Sequence, residues 1–478
     1  MKNVVIIGGG ITGLATAYYL LQKTAGAVQI TLVESSSRLG GKITSSHEAG
    51  FLIEGGPDSF ITQKAAGLAL CRELGLEDDL TPSNSERKTS YVFSKGELHP
   101  MPEGMMMMAP TMMVPFLRSR LISWPGKMRM GLEMFLPKRA NTGDESLSSF
   151  ITRRLGAEAL DKFAAPLIAG IYSADPDKLS LRSTFPMFLD MEQKHGSLLR
   201  GMLQRKKSAT VPKQPAPPAT QRAPLSMFMT LRGGLQQLVD ALIERLKPAH
   251  ILLNREITAV NKSASGYRID CSGGAPLHAD EIVFATPAHV TADLLRGLDP
   301  VLAAKLHAIR YASTATISVA YKRSEVANAL DGFGFVVPFS EGRSITACSW
   351  SSTKFSHRAP DDGVLLRAFV GGDRAENLAE QSAEALVELA LQELKATMGI
   401  TATPLLAQVY RWHKGSPQYD VGHLERVEEI EQITARHPGL HLAGAAYRGP
   451  GIPDCIQSGI KVATAIADEI SIIRKEAV

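Results

Sequence analysis

A glycine-rich loop close to the start of the chain restricts the fold to a narrow class. The apolar run at residues 4–7 predicts a short buried strand, and the apolar spacing that begins at Leu14 predicts an amphipathic helix. Between them lie Gly8, Gly10 and Gly13, which fit the pattern G-x-G-x-x-G. Such glycines allow a tight turn, a close approach of the backbone to a pyrophosphate, and close packing of helix on strand. The free N–H groups at the start of the helix would then bind phosphate.

A carboxylate follows where a dinucleotide fold needs one. The predicted strand at residues 29–33 ends at Glu34, about 20 residues beyond the last glycine, which is the spacing of the acid that binds ribose hydroxyls. An ordinary strand–turn–helix unit does not require this acid. The sequence therefore predicts dinucleotide binding.

Composition and charge exclude several other classes of protein. The 478 residues are 44% hydrophobic and 21% charged, which is typical of a globular protein with two or three domains. The net charge of +4 is too small and too scattered to indicate nucleic-acid binding. No apolar run reaches about 18 residues, so we expect no membrane-spanning helix. Because the first predicted strand begins at residue 3, we also expect no signal peptide.

The cysteines indicate the redox compartment. Cys71, Cys271, Cys348 and Cys455 are far apart and form no C-x-x-C pair. This pattern predicts a cytoplasmic protein with reduced thiols, no metal site and no disulfide framework.

The segment 101–135 is rich in methionine, with cations among its apolar residues. Two interpretations stay open. The segment is either a helical subdomain that uses methionine as core filler, or a flexible apolar wall for a large flat ligand or a membrane surface. Further along, residues 206–224 carry five prolines and predict an exposed, mobile loop.

A second strand–loop–helix unit lies at the end of the chain. The predicted strand at residues 441–444 runs into a loop that contains Gly449 and Gly451, and a helix follows from about Ile456. A domain that binds only NAD does not need this unit, whereas an extended flavin dinucleotide does, because a helix start stabilises negative charge on the reduced ring. The alternative is a terminal strand with its covering helix.

Together these segments resemble the flavin-dependent amine oxidase and porphyrinogen oxidase superfamily. The resemblance is carried by residues 8–13 with Glu34, and by residues 38–42, 230–235 and 444–459. Residues 54–60, 98–102, 171–173, 178–180, 193–195 and 451–456 look like the porphyrinogen oxidase branch. Within that branch the chain looks most like the bacterial enzymes of the coproporphyrin-dependent haem route.

The resemblance implies an α/β fold with an α+β substrate domain. The expected parts are a Rossmann-like FAD-binding domain of the amine oxidase type, a mixed-sheet substrate domain and a helical subdomain. The expected boundaries are 1–53 with 226–290 and 405–478 for the FAD-binding domain, 54–90 with 291–404 for the substrate domain, 91–205 for the helical, membrane-associating subdomain, and 206–224 for the proline-rich loop.

The resemblance also implies a non-covalently bound FAD and assigns its contacts. The implied contacts are Gly8, Gly9, Gly10, Ile11, Thr12 and Gly13 at the pyrophosphate, Glu34 and Ser35 at the adenosine ribose, Lys42, Gly56, Pro57, Asp58 and Ser59 along the ribityl chain and ring, Ile257 at the adenine, and Trp412, Ile452, Pro453 and Asp454 over the flavin. Covalent attachment is not expected, because Cys455 follows a Pro-Asp pair rather than the Gly-Gly that precedes the attachment cysteine of monoamine oxidases.

The implied reaction is the six-electron oxidation of coproporphyrinogen III to coproporphyrin III, with O2 as acceptor and H2O2 as product. Asp58 stands where eukaryotic protoporphyrinogen oxidases carry an arginine that pairs with a substrate propionate, and an aspartate would repel a carboxylate. Lys64, the nearest downstream cation, is therefore the candidate substrate anchor. No acid–base pair stands out, so no catalytic residue is assigned.

Several alternatives remain open. They are a protoporphyrinogen IX oxidase, a flavin amine oxidase or carotenoid desaturase, a non-catalytic flavin-holding protein and an NAD dehydrogenase. The expected partners are coproporphyrinogen III and O2, and we expect no nucleic-acid partner. Peripheral contact with the inner face of the cell membrane, and hand-over of product to the next haem-pathway enzyme, are compatible with this interpretation.

Overall fold

In the computed structural model, which describes residues 1–106, 109–110, 112–141, 143–209 and 226–476, the glycine loop joins the first strand of a parallel sheet to the first helix. The five strands of this sheet lie in the order His250–Leu252, Val28–Val33, Lys2–Ile7, Glu281–Phe284 and Leu440–Leu442. All four pairings are parallel, so the carboxyl ends of the strands meet at one edge. A parallel sheet of this kind places its ligand site at that edge.

Both faces of the parallel sheet are covered. One face shares a core with the helices Ile11–Thr24, Ala65–Glu73, Gln236–Arg245 and Ile452–Glu476. The other packs against the antiparallel strands Ile257–Ser263, Gly266–Cys271 and Leu277–Ala279 and the helices Ala288–Leu295, Pro300–His307 and His423–Thr434. The parallel sheet and these layers form the nucleotide half of the molecule.

A seven-stranded mixed sheet forms the other half, which we predict to be the substrate domain. Its order is Leu406–Pro417, Tyr311–Lys322, Gly363–Gly371, Ala347–Trp350, Gly332–Val336, Thr89–Ser94 and Glu97–Pro100. Side chains alternate along a strand, and Ala315 and Ile317 pack in a core with the helix Ala383–Met398. Thr316, between them, points the other way and donates a hydrogen bond to the nucleotide half at the Gly55 carbonyl, 3.0 Å away. Short helices at Ser351–Lys354 and Glu376–Ala379 and 3-10 turns at Arg323–Glu325, Phe339–Glu341 and Ser356–Arg358 complete this half.

The third part is helical. Its elements are Met113–Arg118, Trp124–Gly131, Leu132–Phe135, Leu147–Arg154, Ala157–Ala159, Leu160–Ala164, Ala165–Tyr172, Leu181–Thr184, Pro186–His195 and Leu198–Ala209. Met130, Met191 and Met202 are buried in its core, whereas Met113 and Met128 are exposed. The methionines therefore serve both as core filler and as an apolar surface.

Small elements connect these parts. They are the hairpin Ser45–Glu48 and Phe51–Glu54, the three-stranded sheet Phe60–Ile61, Phe228–Leu231 and Leu80–Pro82, the pair Met105–Met106 and Ala109–Pro110, and the 3-10 turn Glu77–Asp79.

The structure differs from the predicted domain boundaries in four places. Helix Ala65–Glu73 shares a core with the nucleotide half, although we predict it in the substrate domain. Leu406–Pro417 is an edge strand of the mixed sheet, although we predict it in the FAD-binding domain. Strands 89–94 and 97–100 also belong to this sheet rather than to the helical subdomain. Conversely, helix Pro300–His307 packs on the nucleotide half. These assignments depend on strand pairing and packing between distant segments, which a local pattern does not contain.

The proline-rich segment is only partly described. Helix Leu198–Ala209 extends into its first four residues, which differs from the predicted loop, and residues 210–225 lie outside the described residues. Within the part of the chain that the structure describes, no helix has the length and apolar character needed to cross a membrane.

Candidate active site

The glycine loop leaves the start of the first helix open. A Cβ on Gly13 would lie 1.9 Å from the Gly8 carbonyl oxygen, so only glycine allows this close packing. A Cβ on Gly10 would meet nothing nearer than the Gly41 Cα at 4.0 Å. Helix Ile11–Thr24 also has no side chain that caps its first N–H groups. An uncapped helix start beside open space fits the pyrophosphate of a dinucleotide, which would satisfy these donors.

Glu34 braces the same loop. Its Oε2 accepts a hydrogen bond from the Gly9 N–H at 2.8 Å, and its Oε1 accepts bonds from the Ser36 N–H at 2.8 Å and the Ser35 hydroxyl at 3.3 Å. The carboxylate is therefore fixed at the carboxyl end of the second strand, where the sequence predicts a ribose site. The ribose contacts of Glu34 and Ser35 stay predictions.

The segment 38–43 forms the next part of the site. Arg38 donates to the carbonyls of Leu39 at 3.2 Å and Ile43 at 3.1 Å, so it holds the turn together. Lys42 donates to the Gly415 carbonyl on the mixed sheet. Desolvation by the surrounding protein atoms lowers the pKa of Lys42, which is accessible from the cavity and has no paired carboxylate among the described residues.

The loop that contains Gly55 and Gly56 is held by the mixed sheet. The Gly55 carbonyl accepts hydrogen bonds from Trp412 Nε1 at 3.0 Å and Arg367 Nη2 at 3.1 Å, besides that from Thr316. A Cβ on Gly56 would lie 1.8 Å from the Lys42 carbonyl oxygen. This arrangement brings Lys42, Gly56, Pro57 and Trp412 to one cavity, and their contacts with the flavin stay predictions.

Asp58 does not act as the unpaired negative charge that we expect from the sequence. Lys354 donates to its two carboxylate oxygens at 3.1 and 2.9 Å, and the Ser59 hydroxyl donates to it at 2.7 Å. Burial alone would raise the pKa of Asp58, but Lys354 and Arg367 outweigh burial and hold that pKa well below its usual range. The predicted repulsion of a substrate carboxylate is therefore cancelled by a lysine 296 residues away.

Lys64 lies close to the predicted flavin contacts, but its ammonium is paired. Its Nζ is 2.6 Å from the Asp454 carboxylate, which caps the same corner of the site. The Lys64 side chain is half exposed, so this pair is a weak one. The role of Lys64 as a substrate anchor stays a prediction. It would require Lys64 to break its ion pair with Asp454 and to pair with a carboxylate of the substrate instead.

The C-terminal loop closes the site from the opposite side. Ile452 is buried at the start of helix Ile452–Glu476, and Pro453 and Asp454 follow it. Tyr419 secures the loop, because its hydroxyl donates to the Ala445 carbonyl at 2.6 Å and accepts from the Gly449 N–H at 2.8 Å. Ile257 is buried at the first position of its strand. The contacts of these residues with FAD stay predictions.

A cavity of about 260 Å³ lies where the three parts of the molecule meet. The glycine-loop side contributes Lys42, Gly56 and Pro57, and the mixed sheet contributes Arg367 and Trp412. Residues 169–171 and 173 of the helical part line a further side. Among the described residues that line the cavity, Lys42 and Arg367 are the charged ones, so the cavity is cationic.

Sequence reasoning missed Arg367, Lys354 and Arg358. Arg358 is buried and donates to Glu54 at 2.7 Å, directly below the Gly55 loop. A signal was available for Arg367, since it is a single cation within the apolar run 364–370. A charge in the middle of a buried strand indicates a paired or functional group. Lys354 and Arg358 lie in an ordinary polar stretch and carry no such signal.

Comparison with known proteins agrees with this geometry. Residues 11–467 match the family described as flavin-containing amine oxidoreductase. A coproporphyrinogen III oxidase from Bacillus subtilis is 38% identical over 96% of this chain and 96% of the relative, and one from Propionibacterium freudenreichii is 35% identical over 98% and 91%. The crystal structure of an Exiguobacterium protein, to which protoporphyrinogen oxidase activity has been ascribed, superposes on this chain with a TM-score of 0.87 at 33% identity. The match covers 98% of this chain and 99% of that chain. The predicted fold class and flavin cofactor are confirmed.

Proposed function

Because the chain belongs to the flavin-containing amine oxidoreductase family, we propose that it oxidises coproporphyrinogen III to coproporphyrin III, using FAD and O2 and releasing H2O2. The observation that carries the proposal is the cationic cavity between the predicted flavin contacts and the helical part. A porphyrinogen with four carboxylates is anionic, and the two cations in the wall of this cavity suit its carboxylates. The relatives named coproporphyrinogen III oxidase, which match nearly the whole chain, support the same substrate.

The chain's own residues hold and orient the reactants. Bound FAD supplies a hydride acceptor that O2 reoxidises. The open helix start at Ile11 would bind the pyrophosphate, and Gly56, Pro57 and Trp412 would lie along the ring without covalent attachment. The walls formed by the mixed sheet and the helical part would exclude water and hold the macrocycle against the ring. No carboxylate or imidazole is among the described lining residues, which fits a substrate whose pyrrole proton leaves by tautomerisation.

The test is a pair of kinetic assays on protein of known FAD content. Coproporphyrinogen III and protoporphyrinogen IX are supplied in air, and porphyrin fluorescence and H2O2 are followed together. We expect a higher kcat/KM for coproporphyrinogen III and about three H2O2 per porphyrin, since six electrons correspond to three two-electron steps. A preference for protoporphyrinogen IX would replace the substrate. No turnover of either by protein that carries FAD would refute the porphyrinogen assignment and leave an amine oxidase or desaturase to be tested.

We also propose that the helical part docks on an anionic lipid surface. Met113 and Leu117 of one short helix, and Trp124 and Met128 of the next, are exposed and surround a small apolar cavity of about 120 Å³. Phe135 extends this face and is 77% exposed. An apolar patch of this kind on a folded surface is typical of an interaction site.

Charge at the rim of this face favours a lipid surface. Arg118 and Arg120 are exposed between the two helices and would meet anionic headgroups. Lys127 is buried, donates to the carbonyls of Leu117 at 2.8 Å and Ser119 at 2.7 Å, and so fixes the relative position of the helices. The apolar side chains and the cations are therefore presented together.

Vesicle sedimentation tests this docking. We expect the protein to bind vesicles that contain phosphatidylglycerol more strongly than phosphatidylcholine vesicles, and the variant Trp124→Ser/Phe135→Ser to lose binding. The matched control is Leu405→Ser/Val421→Ser, since both side chains are exposed outside the helical part. Equal binding of the two variants to phosphatidylglycerol vesicles would contradict the proposal. If wild type instead forms a concentration-dependent dimer that only Trp124→Ser/Phe135→Ser disrupts, the apolar face contacts a second copy of the chain. A cytoplasmic location, and hand-over of the product to the next haem-pathway enzyme, also remain predictions.

A further inference from the structure

Arg367 is a buried arginine in the wall of the cavity. It lies in strand Gly363–Gly371 with Leu365 and Leu366 before it, and it is only 3% exposed. Its side chain points to the nucleotide half, where Nη2 donates to the carbonyls of Gly55 at 3.1 Å and Gly56 at 2.5 Å. The guanidinium is thus fixed at the point where the flavin loop meets the mixed sheet.

The remaining donors of Arg367 have no partner among the described residues. Nε is buried and donates to none of them, and none of them accepts a bond from Nη1. The guanidinium also packs over the Phe369 ring at 5.0 Å, which restricts its rotation. A charged donor without an acceptor destabilises the folded protein, and a donor of this kind in a cavity wall therefore indicates a ligand.

The charge of Arg367 is uncompensated by direct contact. The two carboxylates near it are already paired, Asp58 with Lys354 at 2.9 Å and Glu54 with Arg358 at 2.7 Å. Desolvation lowers the pKa of Arg367, and the more distant charges of Asp58 and Glu54 offset this only in part. An anionic group placed against the guanidinium would remove this deficit.

We propose that Arg367 is a specificity residue that binds a propionate carboxylate of the substrate through its free donors. The inference rests on the proposed function, because it names the group of that substrate which enters this corner of the cavity. Because the Gly55 and Gly56 carbonyls occupy Nη2, the bond to the carboxylate would be a single charge-assisted hydrogen bond from Nη1 rather than a bidentate one. Arg367 would therefore favour a macrocycle that carries a propionate at this position over one that carries an uncharged vinyl group.

The experiment measures binding of the stable products. Coproporphyrin III and protoporphyrin IX are titrated against FAD-loaded wild type, Arg367→Gln and Arg367→Lys, and the dissociation constants are read from porphyrin fluorescence. We expect Arg367→Gln to weaken coproporphyrin III binding about 10- to 100-fold and protoporphyrin IX binding by less than about threefold, because only the first ligand loses a charge-assisted hydrogen bond. Arg367→Lys keeps the charge but loses the planar group that both holds the loop carbonyls and donates to the carboxylate, so its affinity for coproporphyrin III should lie between those of wild type and Arg367→Gln. KM for coproporphyrinogen III should rise with kcat nearly unchanged.

Two controls separate the explanations. Arg343→Gln removes an arginine of the same half that pairs with Glu393 at 2.7 Å and does not line the cavity, and it should change neither constant. The flavin midpoint potential of Arg367→Gln should equal that of wild type. A lowered potential with unchanged porphyrin binding would mean that the guanidinium serves the reduced flavin instead, and would overturn the proposal. Equal weakening of both porphyrins would also overturn it.

Failure of the proposed function gives a different result. If wild type carries FAD but turns over neither porphyrinogen and binds neither porphyrin, the substrate assignment fails and the inference fails with it. If wild type turns over coproporphyrinogen III while Arg367→Gln and Arg367→Lys bind coproporphyrin III as wild type does, only the inference fails. Should Arg367→Gln lose FAD, Arg367→Lys provides the same comparison in a folded protein.

Discussion

The two main walls of the cavity are stabilised in different ways. On the nucleotide side, backbone groups and glycines form the site, with Gly8, Gly10 and Gly13 placed where a side chain would collide with the backbone or block the helix start. On the side of the mixed sheet, buried charged side chains hold the site, chiefly Arg358 and Arg367. The first wall depends on local conformation, and the second depends on residues brought together from distant parts of the chain.

This difference indicates how each wall responds to change. A site built from backbone groups fails when a side-chain atom is added at one of its glycines, because the neighbouring backbone cannot move aside. A site of buried ion pairs fails when a partner is removed, because the remaining charge is left without compensation. The following predictions separate these two behaviours, beginning with the largest effect.

Gly13→Ala should abolish tight FAD binding. The new Cβ would lie 1.9 Å from the Gly8 carbonyl oxygen, so the helix start must move by more than 1 Å from the loop. Loss of several aligned N–H donors to the pyrophosphate corresponds to at least about 3 kcal/mol, or about a 100-fold weaker dissociation constant. Reconstitution of the apoprotein with FAD, followed by flavin fluorescence, measures this constant. Gly131→Ala is the control, since that glycine ends a helix and has nothing within 4 Å of its Cβ position. Equal FAD affinity in both variants would show that the loop is not rigid.

Arg358→Gln should destabilise the protein by about 3–5 kcal/mol, because it leaves Glu54 buried without its cation. Arg358 and Glu54 are 2% and 3% exposed at their side chains and are 2.7 Å apart. The exposed pair Arg448 and Glu431 has a similar separation of 2.6 Å, with both side chains nearly half exposed. Arg448→Gln should therefore cost less than about 1 kcal/mol. Urea unfolding of both variants gives the two free energies, and a difference of less than about 1 kcal/mol would contradict the description of this wall.

The same contrast explains what could be predicted from sequence. The strand, loop and helix around Gly8 are neighbours along the chain, so their spacing predicts both the elements and a dinucleotide site. Glu34 is also recognisable because its distance from the glycines is set by one helix and one strand. Lys354 and Asp58 are 296 residues apart, and no local pattern indicates that one neutralises the other. For the same reason the edge strand Leu406–Pro417 was unrecognisable as part of the mixed sheet until its pairing with Tyr311–Lys322 was seen.

His423 should make the protein acid-sensitive beneath the C-terminal loop. The imidazole is fully buried, stacks on the Tyr419 ring at 4.1 Å, and its Nε2 lies 3.0 Å from the Tyr447 carbonyl. Desolvation lowers the pKa of His423 from 6.5 to about 4. Below pH 6.5 the unfolded chain therefore takes up a proton that the folded protein refuses until about pH 4, so stability that is complete above pH 6.5 falls across this window by roughly 3 kcal/mol.

Unfolding free energies measured from pH 7 to pH 4.5 test this sign. His423→Gln should show a shallower loss of stability than wild type, whereas the same change at the exposed His47 should leave the slope unchanged. A slope for His423→Gln as steep as that of wild type would assign the acid sensitivity to other groups.

The smallest effect should come from the ion pairs that join the helical part to the mixed sheet. Arg310 contacts Asp420 at 2.7 Å and also pairs with Asp373, and Lys178 of the helical part reaches the same Asp373 at 3.0 Å. Arg310 and Lys178 are 40% and 50% exposed, so each pair contributes at most about 1 kcal/mol and is screened by salt. Because Lys178 ties the helical part, which carries residues 169–173 of the cavity, to Asp373 of the mixed sheet, Lys178→Gln should raise KM for coproporphyrinogen III by about two- to fivefold at low salt. Addition of 0.5 M NaCl, an ionic strength at which screening acts within about 5 Å, should shrink the difference from wild type. Lys305→Gln breaks an exposed pair with Glu429 away from the cavity and should leave KM unchanged. An equal rise of KM in both variants, or one that persists in salt, would mean that general surface charge or a packing defect, rather than this contact, sets the position of the helical wall.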